Sequence, residues 1–354
     1  MIVLNGEPFT RYNLRSLYSF AHQIIVVEGA CRAAAAVARP DGHSADGTYE
    51  LLNCFAVEED PERKMLIVSA KDDGHEDGFW PEKDEMCWAY AKRTTGEFLW
   101  QIDSDEFYKQ EDMEKVLQLM SQGIDAISFP TLTFFGGLGY KIEGFKLICD
   151  RYAEVHRVFK WGAGYQLVSH RPPTVLDESG VDVRTKNWIN AVGAARIGLQ
   201  MYHYCYLFPH QVLAKSIYYS TKGEHIIKQG AYIAGADRWA KEVYMMLARP
   251  YRMFIKEDSL CWLERYRCTH PLEVNRMFTD LLSGRRTIEL RRTEDIERLL
   301  SSYSYRMGCF VLKVMVCIVN NPPGLFLRRY GLAFVRHLQG GTLWKRICQF
   351  CGGV

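Results

Sequence analysis

The sequence predicts an α/β fold, with a mixed, mainly parallel sheet covered by helices on both faces and a mainly helical C-terminal region. Short β-rich runs alternate with helical patterns through the first half of the chain, as in layered α/β proteins. Residues 24–27 are apolar and β-branched throughout, which is typical of a parallel strand buried on both faces. From about Pro209 onward the pattern is mainly helical, and we expect two regions, residues 1–235 and residues 236–354.

The predicted elements follow one another in a regular order. Apolar, β-rich runs predict strands at residues 2–4, 24–27, 65–68, 98–102 and 126–129. Patterns of helical period between them predict helices near residues 10–18, 49–57, 82–95 and 111–121. Gly96 separates the third of these helices from the strand that follows it. Further strands are expected near residues 157–160, 165–169 and 199–204.

The composition is that of a globular protein without a bias towards polyanions. Of the 354 residues, 48% are apolar and 24% charged, and the formal net charge is only +2. The chain opens without the basic segment and long apolar run of a secretory signal. Its eleven cysteines have no regular spacing. We therefore expect a reducing, cytoplasmic setting.

Acidic residues stand where the predicted strand at residues 98–102 ends. Asp103, Asp105 and Glu106 follow it directly. In open α/β sheets, ligands bind beyond the carboxyl ends of the strands, so these carboxylates would lie on the same rim as Glu28. Carboxylate oxygens suit Mg²⁺ or Mn²⁺, which could bridge the two phosphates of a nucleotide diphosphate. The simpler alternative is an acidic turn that begins a helix.

Four segments resemble family 2 glycosyltransferases, and together they cover roughly residues 1–219. These segments are NGEPFTRYNLRSLYSFAHQIIVVEGA, AYAKRTTGEFLWQIDSDEFY, HRVFKWGAGYQLVSH and MYHYCYLFPHQVLAKSIYY. The order and spacing of the segments carry the resemblance, since no single motif is decisive. The resemblance implies a GT-A fold and an inverting transfer of sugar from a nucleotide-diphospho-sugar. A UDP-sugar is the donor that we expect first. The acceptor would be a hydroxyl of a glycan or of a lipid-linked acceptor, as in bacterial surface-polysaccharide synthesis.

The resemblance also implies which residues bind the donor. Glu7 and Glu28 would line the nucleoside pocket, Glu28 near the ribose or the base. Lys83 matches a basic residue near the diphosphate, and His170 would contribute to donor binding. Two of these residues have ordinary alternatives, because Glu28 could end a strand in solvent and Lys83 could be a surface lysine.

The same resemblance implies a metal site. Asp105 would be the principal ligand of Mn²⁺ or Mg²⁺, and Asp103 would face the ribose or the ion. His203 matches the late His that such enzymes direct to the metal or the diphosphate. Between two tyrosines, His203 could equally be a hydrogen-bonded core histidine.

The general base is the point at which the residues depart from the resemblance. Many relatives follow the His of the third segment with a Glu, whereas here Arg171 follows His170. An inverting transfer needs a carboxylate to accept the proton of the acceptor hydroxyl. Asp177 and Glu178 are the next carboxylates, and an extended exit through two prolines could carry them over the rim. We expect one of these two carboxylates to be the base, and we prefer Asp177. The alternative is that both lie in a surface turn without a catalytic role. In that case Glu143 or His170 is the next candidate for the base.

The end of the chain is basic and rich in apolar residues. From Arg306 onward there are seven Lys or Arg residues and no Asp or Glu. This pattern favours interfacial helices that bury an apolar face in lipid while basic residues meet anionic headgroups. The protein would then lie peripherally on the inner face of the cytoplasmic membrane. The alternative is a helical subdomain packed on the first region. Nucleic acid is not an expected partner, because the sequence has no recognition module.

Two other functions stay open. A nucleotidyltransferase also holds Mg²⁺ with acidic residues at strand ends, but such enzymes usually open with a Gly-rich loop that carries Arg or Lys. Here the corresponding segment is Asn5-Gly6-Glu7-Pro8, which carries no basic residue. A non-catalytic sugar-binding or scaffold protein is the alternative from a different class.

Overall fold

The mixed α/β fold predicted from the sequence is confirmed. The structure is a computed structural model that describes residues 1–144, 154–220, 235–255 and 260–320. The greater part of the basic tail, from residue 321 onward, lies outside the described residues.

The strands and helices alternate along the first two hundred residues, and helices predominate afterwards. The strands are β1 (Ile2–Val3), β2 (Ile24–Glu28), β3 (Met65–Val68), β4 (Phe98–Trp100), β5 (Glu106–Phe107), β6 (Ala126–Phe129), β7 (Thr131–Phe135), β8 (Tyr140–Gly144), β9 (Val155–Lys160), β10 (Gln166–His170), β11 (Pro173–Leu176), β12 (Trp188–Ile189), β13 (Met201–Tyr206) and β14 (Cys261–Arg265). The α-helices are α1 (Phe9–Tyr18), α2 (Thr48–Glu58), α3 (Lys83–Ala91), α4 (Gln110–Ser121), α5 (Ala191–Arg196), α6 (Pro209–Ser220), α7 (Ala236–Trp239), α8 (Leu272–Leu282), α9 (Glu294–Ser301) and α10 (Tyr303–Asn320).

The central layer of strands is mainly parallel, as predicted. Strands β1, β2 and β3 pair in parallel in that order, and a second sheet has the order β12-β6-β9-β4. A parallel bridge between Ile2 and Asp103 joins β1 to the chain that continues from β4. Within the second sheet, β12 is parallel to β6, and only β9 runs antiparallel to its neighbours. The carboxyl ends of β1, β2, β3 and β4 therefore meet at one edge.

Helices cover both faces of this layer. Alternate residues of a strand point to opposite faces, and β2 is buried along its whole length. Val26 packs with Leu14 of α1 and with Leu52 of α2. Val27 belongs to a different cluster, which includes Met86 of α3. Helices α1 and α2 thus cover one face of the sheet, and α3 covers the other.

A further sheet, of order β14-β8-β7-β13-β5, joins the two regions of the chain. The sequence predicted mainly helices from residue 236 onward, and β14 is a strand within that stretch. It pairs antiparallel with β8, from Cys261 opposite Gly144 to Arg265 opposite Tyr140. The residues described after β14 are mainly helical, as expected. Within the described ranges, no helix combines the length and the apolar character needed to cross a membrane.

Candidate functional site

A cavity of about 420 Å³ opens where β1, β2 and β4 end. Its volume lies within the range of roughly 300–1,000 Å³ that is common for small-molecule sites. The position follows the rule that ligands of open α/β sheets bind beyond the carboxyl ends of the strands. The lining residues with polar or charged side chains are Asn5, Glu7, Asp46, Lys83, Asp103, Ser104, Asp105, His170, Arg171, His210, Gln211, Lys215, Tyr218 and Tyr219.

Asp103 is turned towards two arginines. Its Oδ2 atom accepts hydrogen bonds from Nη2 of Arg171 at 2.7 Å and from Nη2 of Arg157 at 3.3 Å. Burial by itself would raise the pKa of Asp103, but the charges of Arg171 and Arg157 outweigh burial and hold that pKa well below its usual range. Asp103 is therefore ionised across the physiological pH range.

A buried ion pair lies next to the turn that carries Asp103 after β4. Arg157 and Glu106 are both almost fully buried. Nε of Arg157 donates to Oε2 of Glu106 at 2.7 Å, and Nη2 donates to Oε1 of the same carboxylate. The backbone N–H of Asp103 also donates to Glu106, at 3.2 Å. The pair fixes the turn after β4 to strand β9, which carries Arg157.

Asp105 faces a different set of groups. Its Oδ2 atom accepts a hydrogen bond from Nε2 of Gln211 at 3.1 Å, and Nζ of Lys215 lies 3.8 Å away. Nε2 of His203 lies 3.7 Å from Oδ1. Burial by itself lowers the pKa of His203, but the neighbouring Cys205 and Asp105 outweigh burial and raise that pKa to about 9. The carboxylate of Asp105 thus favours the protonated imidazole.

The three predicted metal ligands do not converge on one point. Asp105 and His203 are neighbours, whereas Asp103 is bound by two arginines. Among the residues that the structure describes, no group of three His, Cys, Asp or Glu side chains could hold a metal ion. His203 does not line the cavity, and Asp105 does. The cause is electrostatic, because each carboxylate has cations of the protein itself as its nearest charged neighbours.

Lys83 and His170, for which the resemblance implies a role in donor binding, both line the cavity. Nζ of Lys83 lies 4.6 Å from the centre of the Tyr218 ring. Nδ1 of His170 lies 3.1 Å from Sγ of Cys87, and the backbone N–H of His170 donates to Asp84 at 2.9 Å. Burial lowers the pKa of His170 to about 3, with the positive charge of Arg171 acting in the same direction. His170 is therefore a neutral imidazole, and its contacts with Cys87 and Asp84 hold it in place.

The two glutamates expected in the nucleoside pocket differ in their placement. Glu7 lines the cavity and forms an ion pair with Arg286, and its Oε1 atom is buried without a hydrogen-bond partner. Glu28 is completely buried and does not line the cavity. Its carboxylate is bound by Nδ1 of His43 at 2.6 Å and by the backbone N–H of Ser44 at 2.8 Å. Glu28 thus fixes the loop after β2 instead of facing the cavity.

Neither carboxylate expected to be the base lines the cavity. Strand β11 runs antiparallel to β10 and pairs Leu176 with Gln166. Asp177 and Glu178 consequently lie at the end of the hairpin opposite to His170. The segment after Arg171 is extended, as predicted. It runs antiparallel to β10, however, and therefore leads away from the cavity. The expectation that Asp177 or Glu178 reaches over the rim is therefore corrected.

Sequence reasoning did not single out three residues that the structure places beside the acidic turn. Gln211 and Lys215 approach Asp105 from α6. They are four residues apart, so the helical period puts them on one face, and this spacing was a signal available in the sequence. Arg171 was noted only as a departure from relatives. Its pairing with Asp103 depends on how the hairpin is placed, which no local pattern predicts.

Comparison with known proteins adds no identification. No protein-family model matches the sequence, and no curated protein matches it significantly. The cavity brings together a strand-end pair of aspartates, three basic side chains and a neutral imidazole.

Proposed function

We propose that the chain transfers a sugar from a nucleoside-diphospho-sugar to an acceptor hydroxyl, as glycosyltransferases of family 2 do. The observation that carries the proposal is the shared cavity of Asp103, Asp105, Lys83 and Arg171 at the carboxyl ends of parallel strands. A nucleoside diphosphate is a leaving group with high negative charge, and basic side chains around it stabilise that charge as it develops. The GT-A fold is part of the same proposal, and the mainly parallel layer supports it.

A divalent cation, Mg²⁺ or Mn²⁺, belongs to the proposal as a partner of the donor. Such ions are usually held by one or two carboxylates together with substrate phosphates, not by a complete cage of protein ligands. The carboxylate of Asp105 lines the cavity and fits this mode of binding. Asp103 would assist Asp105 in binding the ion. His203 could bind the ion only after losing its proton, because a metal ligand must be the neutral imidazole. When bound, the ion would neutralise charge on the diphosphate.

The residues of the chain divide the remaining work. Lys83 and Arg171 provide positive charge on the wall of the cavity. Neutral His170 presents a hydrogen-bonding ring whose Nδ1 is already engaged by Cys87, so its role is to bind and orient rather than to accept a proton. Asp177 and Glu178 lie outside the cavity and are therefore not proposed as the base.

The test is turnover with a panel of nucleoside-diphospho-sugars, with Mn²⁺ and with excess EDTA. We expect release of nucleoside diphosphate and transfer of sugar to an added acceptor. A nucleotidyltransferase would instead release or consume pyrophosphate, and a non-catalytic sugar-binding protein would bind a donor without turning it over. Either of those results would contradict the proposal.

An anionic membrane surface is the proposed place of action, with a glycan or lipid-linked molecule as acceptor. Helix α10 exposes large apolar side chains, including Phe310 and Val311, on a segment without acidic residues. Basic residues continue to the end of the chain. An exposed apolar stripe beside positive charge is the pattern of helices that lie in the headgroup layer.

A further inference from the structure

Three basic side chains reach the cavity from three separate elements. Lys83 is the first residue of α3, Arg171 lies in the turn between β10 and β11, and Lys215 lies on α6. All three line the cavity together with the acidic turn after β4. Residues so distant in sequence meet only because the three elements pack around the ends of the strands.

The acidic turn holds two of these cations in position. Arg171 donates to Asp103 at 2.7 Å, and Nζ of Lys215 lies 3.8 Å from Asp105. Lys83 lies over the ring of Tyr218, and no described carboxylate forms an ion pair with it. Lysine and arginine side chains are ordinarily cationic at neutral pH.

Two further carboxylates, Glu7 and Asp46, line the same cavity, so among the described residues three cations accompany four carboxylates there. Asp103 and Asp105 face Arg171 and Lys215, and Glu7 is paired with Arg286. The side chain of Arg171 is 51% exposed, and that of Lys215 is 27% exposed. Both cations are therefore accessible to an anion that enters the cavity.

We propose that Lys83, Arg171 and Lys215 form a diphosphate clamp that binds a nucleoside diphosphate or inorganic pyrophosphate even without a divalent metal. The inference rests on the proposed function, because it names the groups that hold the donor's diphosphate. Arg171 offers two parallel N–H donors to phosphate oxygens, and each lysine supplies a mobile point charge. The positive charge of the clamp takes up part of the task that a metal ion performs alone in a purely acidic site.

Inorganic pyrophosphate is the sharpest probe, because it carries the diphosphate without a nucleobase. Titration calorimetry of the full chain with pyrophosphate in excess EDTA should show saturable binding. Arg171→Gln and Lys215→Gln should each weaken that binding by about tenfold, the loss expected for a charge-assisted hydrogen bond. The matched controls Arg196→Gln and Lys241→Gln remove a positive charge from exposed sites outside the cavity and should bind as the parent does.

The conservative variant Arg171→Lys keeps the experiment decisive if Arg171→Gln disturbs the hairpin. It retains the charge but loses the two-pronged donor, so its affinity should fall between those of the parent and of Arg171→Gln. Unliganded melting temperatures report whether each variant is folded. Absence of pyrophosphate binding in EDTA, or equal affinity in parent and folded variants, would overturn the clamp.

The clamp and the proposed function fail in different ways. Metal-dependent sugar transfer without any metal-free pyrophosphate binding would remove the clamp and leave the proposed function standing. Pyrophosphate binding that depends on Arg171 and Lys215, without turnover of any nucleotide-sugar, would keep the clamp and remove the transfer reaction.

Discussion

Asp103 and Asp105 are two residues apart, yet the structure directs their carboxylates to different partners. Asp103 is held by Arg157 and Arg171, and Asp105 faces Gln211 and Lys215. The turn after β4 makes this possible, because both residues lie beyond the regular strand. Asp105 is consequently the better placed of the two to receive a cation that enters with a phosphate.

Replacing Asp105 tests that assignment. Asp105→Asn keeps the size of the side chain and removes its charge, so stabilisation by nucleoside diphosphate with Mn²⁺ should be lost in thermal-shift experiments. Sugar transfer should fall by about a hundredfold or more, because several kcal/mol of charge stabilisation would be lost. Asp237→Asn, on α7 and exposed, is the control and should behave as the parent. Unchanged metal dependence in Asp105→Asn would reject the role.

The buried pair of Arg157 and Glu106 makes a prediction about stability. Arg157→Met leaves Glu106 as an unpaired buried charge, and removing one partner of such a pair typically costs about 3–5 kcal/mol. Urea unfolding should show a loss of that order in the free energy of unfolding. The double variant Arg157→Met with Glu106→Gln should recover most of the loss, since no buried charge remains. A single variant as stable as the parent would show that the pair is unimportant.

At the scale of elements, the hairpin β10–β11 separates two residues that are close in sequence. His170 ends β10 at the cavity, and Asp177 follows β11 at the opposite end. There Asp177 forms an ion pair with Lys186 and accepts backbone hydrogen bonds from Ser179 and Val181, both at 2.9 Å. These contacts are typical of a carboxylate that stabilises a turn.

Asp177→Ala should therefore lower the melting temperature and leave sugar transfer within about twofold of the parent. A general base would instead contribute about 10²–10⁴-fold to turnover. The hydrogen bond from Lys186 lowers the pKa of Asp177, so its stabilising effect is present above the ordinary aspartate pKa and is lost as pH falls through the lowered value. The difference in melting temperature between parent and variant should shrink accordingly in acid. A large loss of turnover with normal donor binding would restore Asp177 as the base.

Helix α10, at the end of the described residues, exposes several large apolar side chains. Lys313 of this helix pairs with Glu264 at 2.7 Å, which fixes one face against the protein. The exposed apolar side chains recur at helical spacing and form a stripe; they are Tyr303, Met307, Phe310, Val311, Val314 and Met315.

The stripe predicts binding to anionic lipid. The full chain should co-sediment with phosphatidylglycerol vesicles, bind phosphatidylcholine vesicles weakly, and be released at high salt as charges are screened. Phe310→Asp with Val314→Asp should abolish sedimentation, because charged residues would enter the apolar face. Val57→Asp alters a side chain on α2 that is 87% exposed, and it should not change binding. Equal sedimentation of the parent and the α10 variant would exclude the helix as the membrane contact.

Local sequence patterns were sufficient to predict the elements of the fold that depend on neighbouring residues. Apolar runs and helical periods placed α1, α2 and α4 to within one residue at each end, because these elements are built from local contacts. A buried strand followed by acidic residues located the turn at Asp103 and Asp105. The resemblance to family 2 glycosyltransferases implied that Lys83 lies near the same site, and the structure brings Lys83, Asp103 and Asp105 into one cavity.

The pairing of groups across that cavity depends on contacts between residues that are distant in sequence. Arg157 meets Glu106 over 51 positions of sequence, and Gln211 meets Asp105 over 106. The reversal of the chain after Arg171 and the pairing of β14 with β8 likewise depend on long-range packing. Periodicity records which face of an element is buried, whereas the partner of a charge is set by distances between elements, and those distances exist only after the chain has folded.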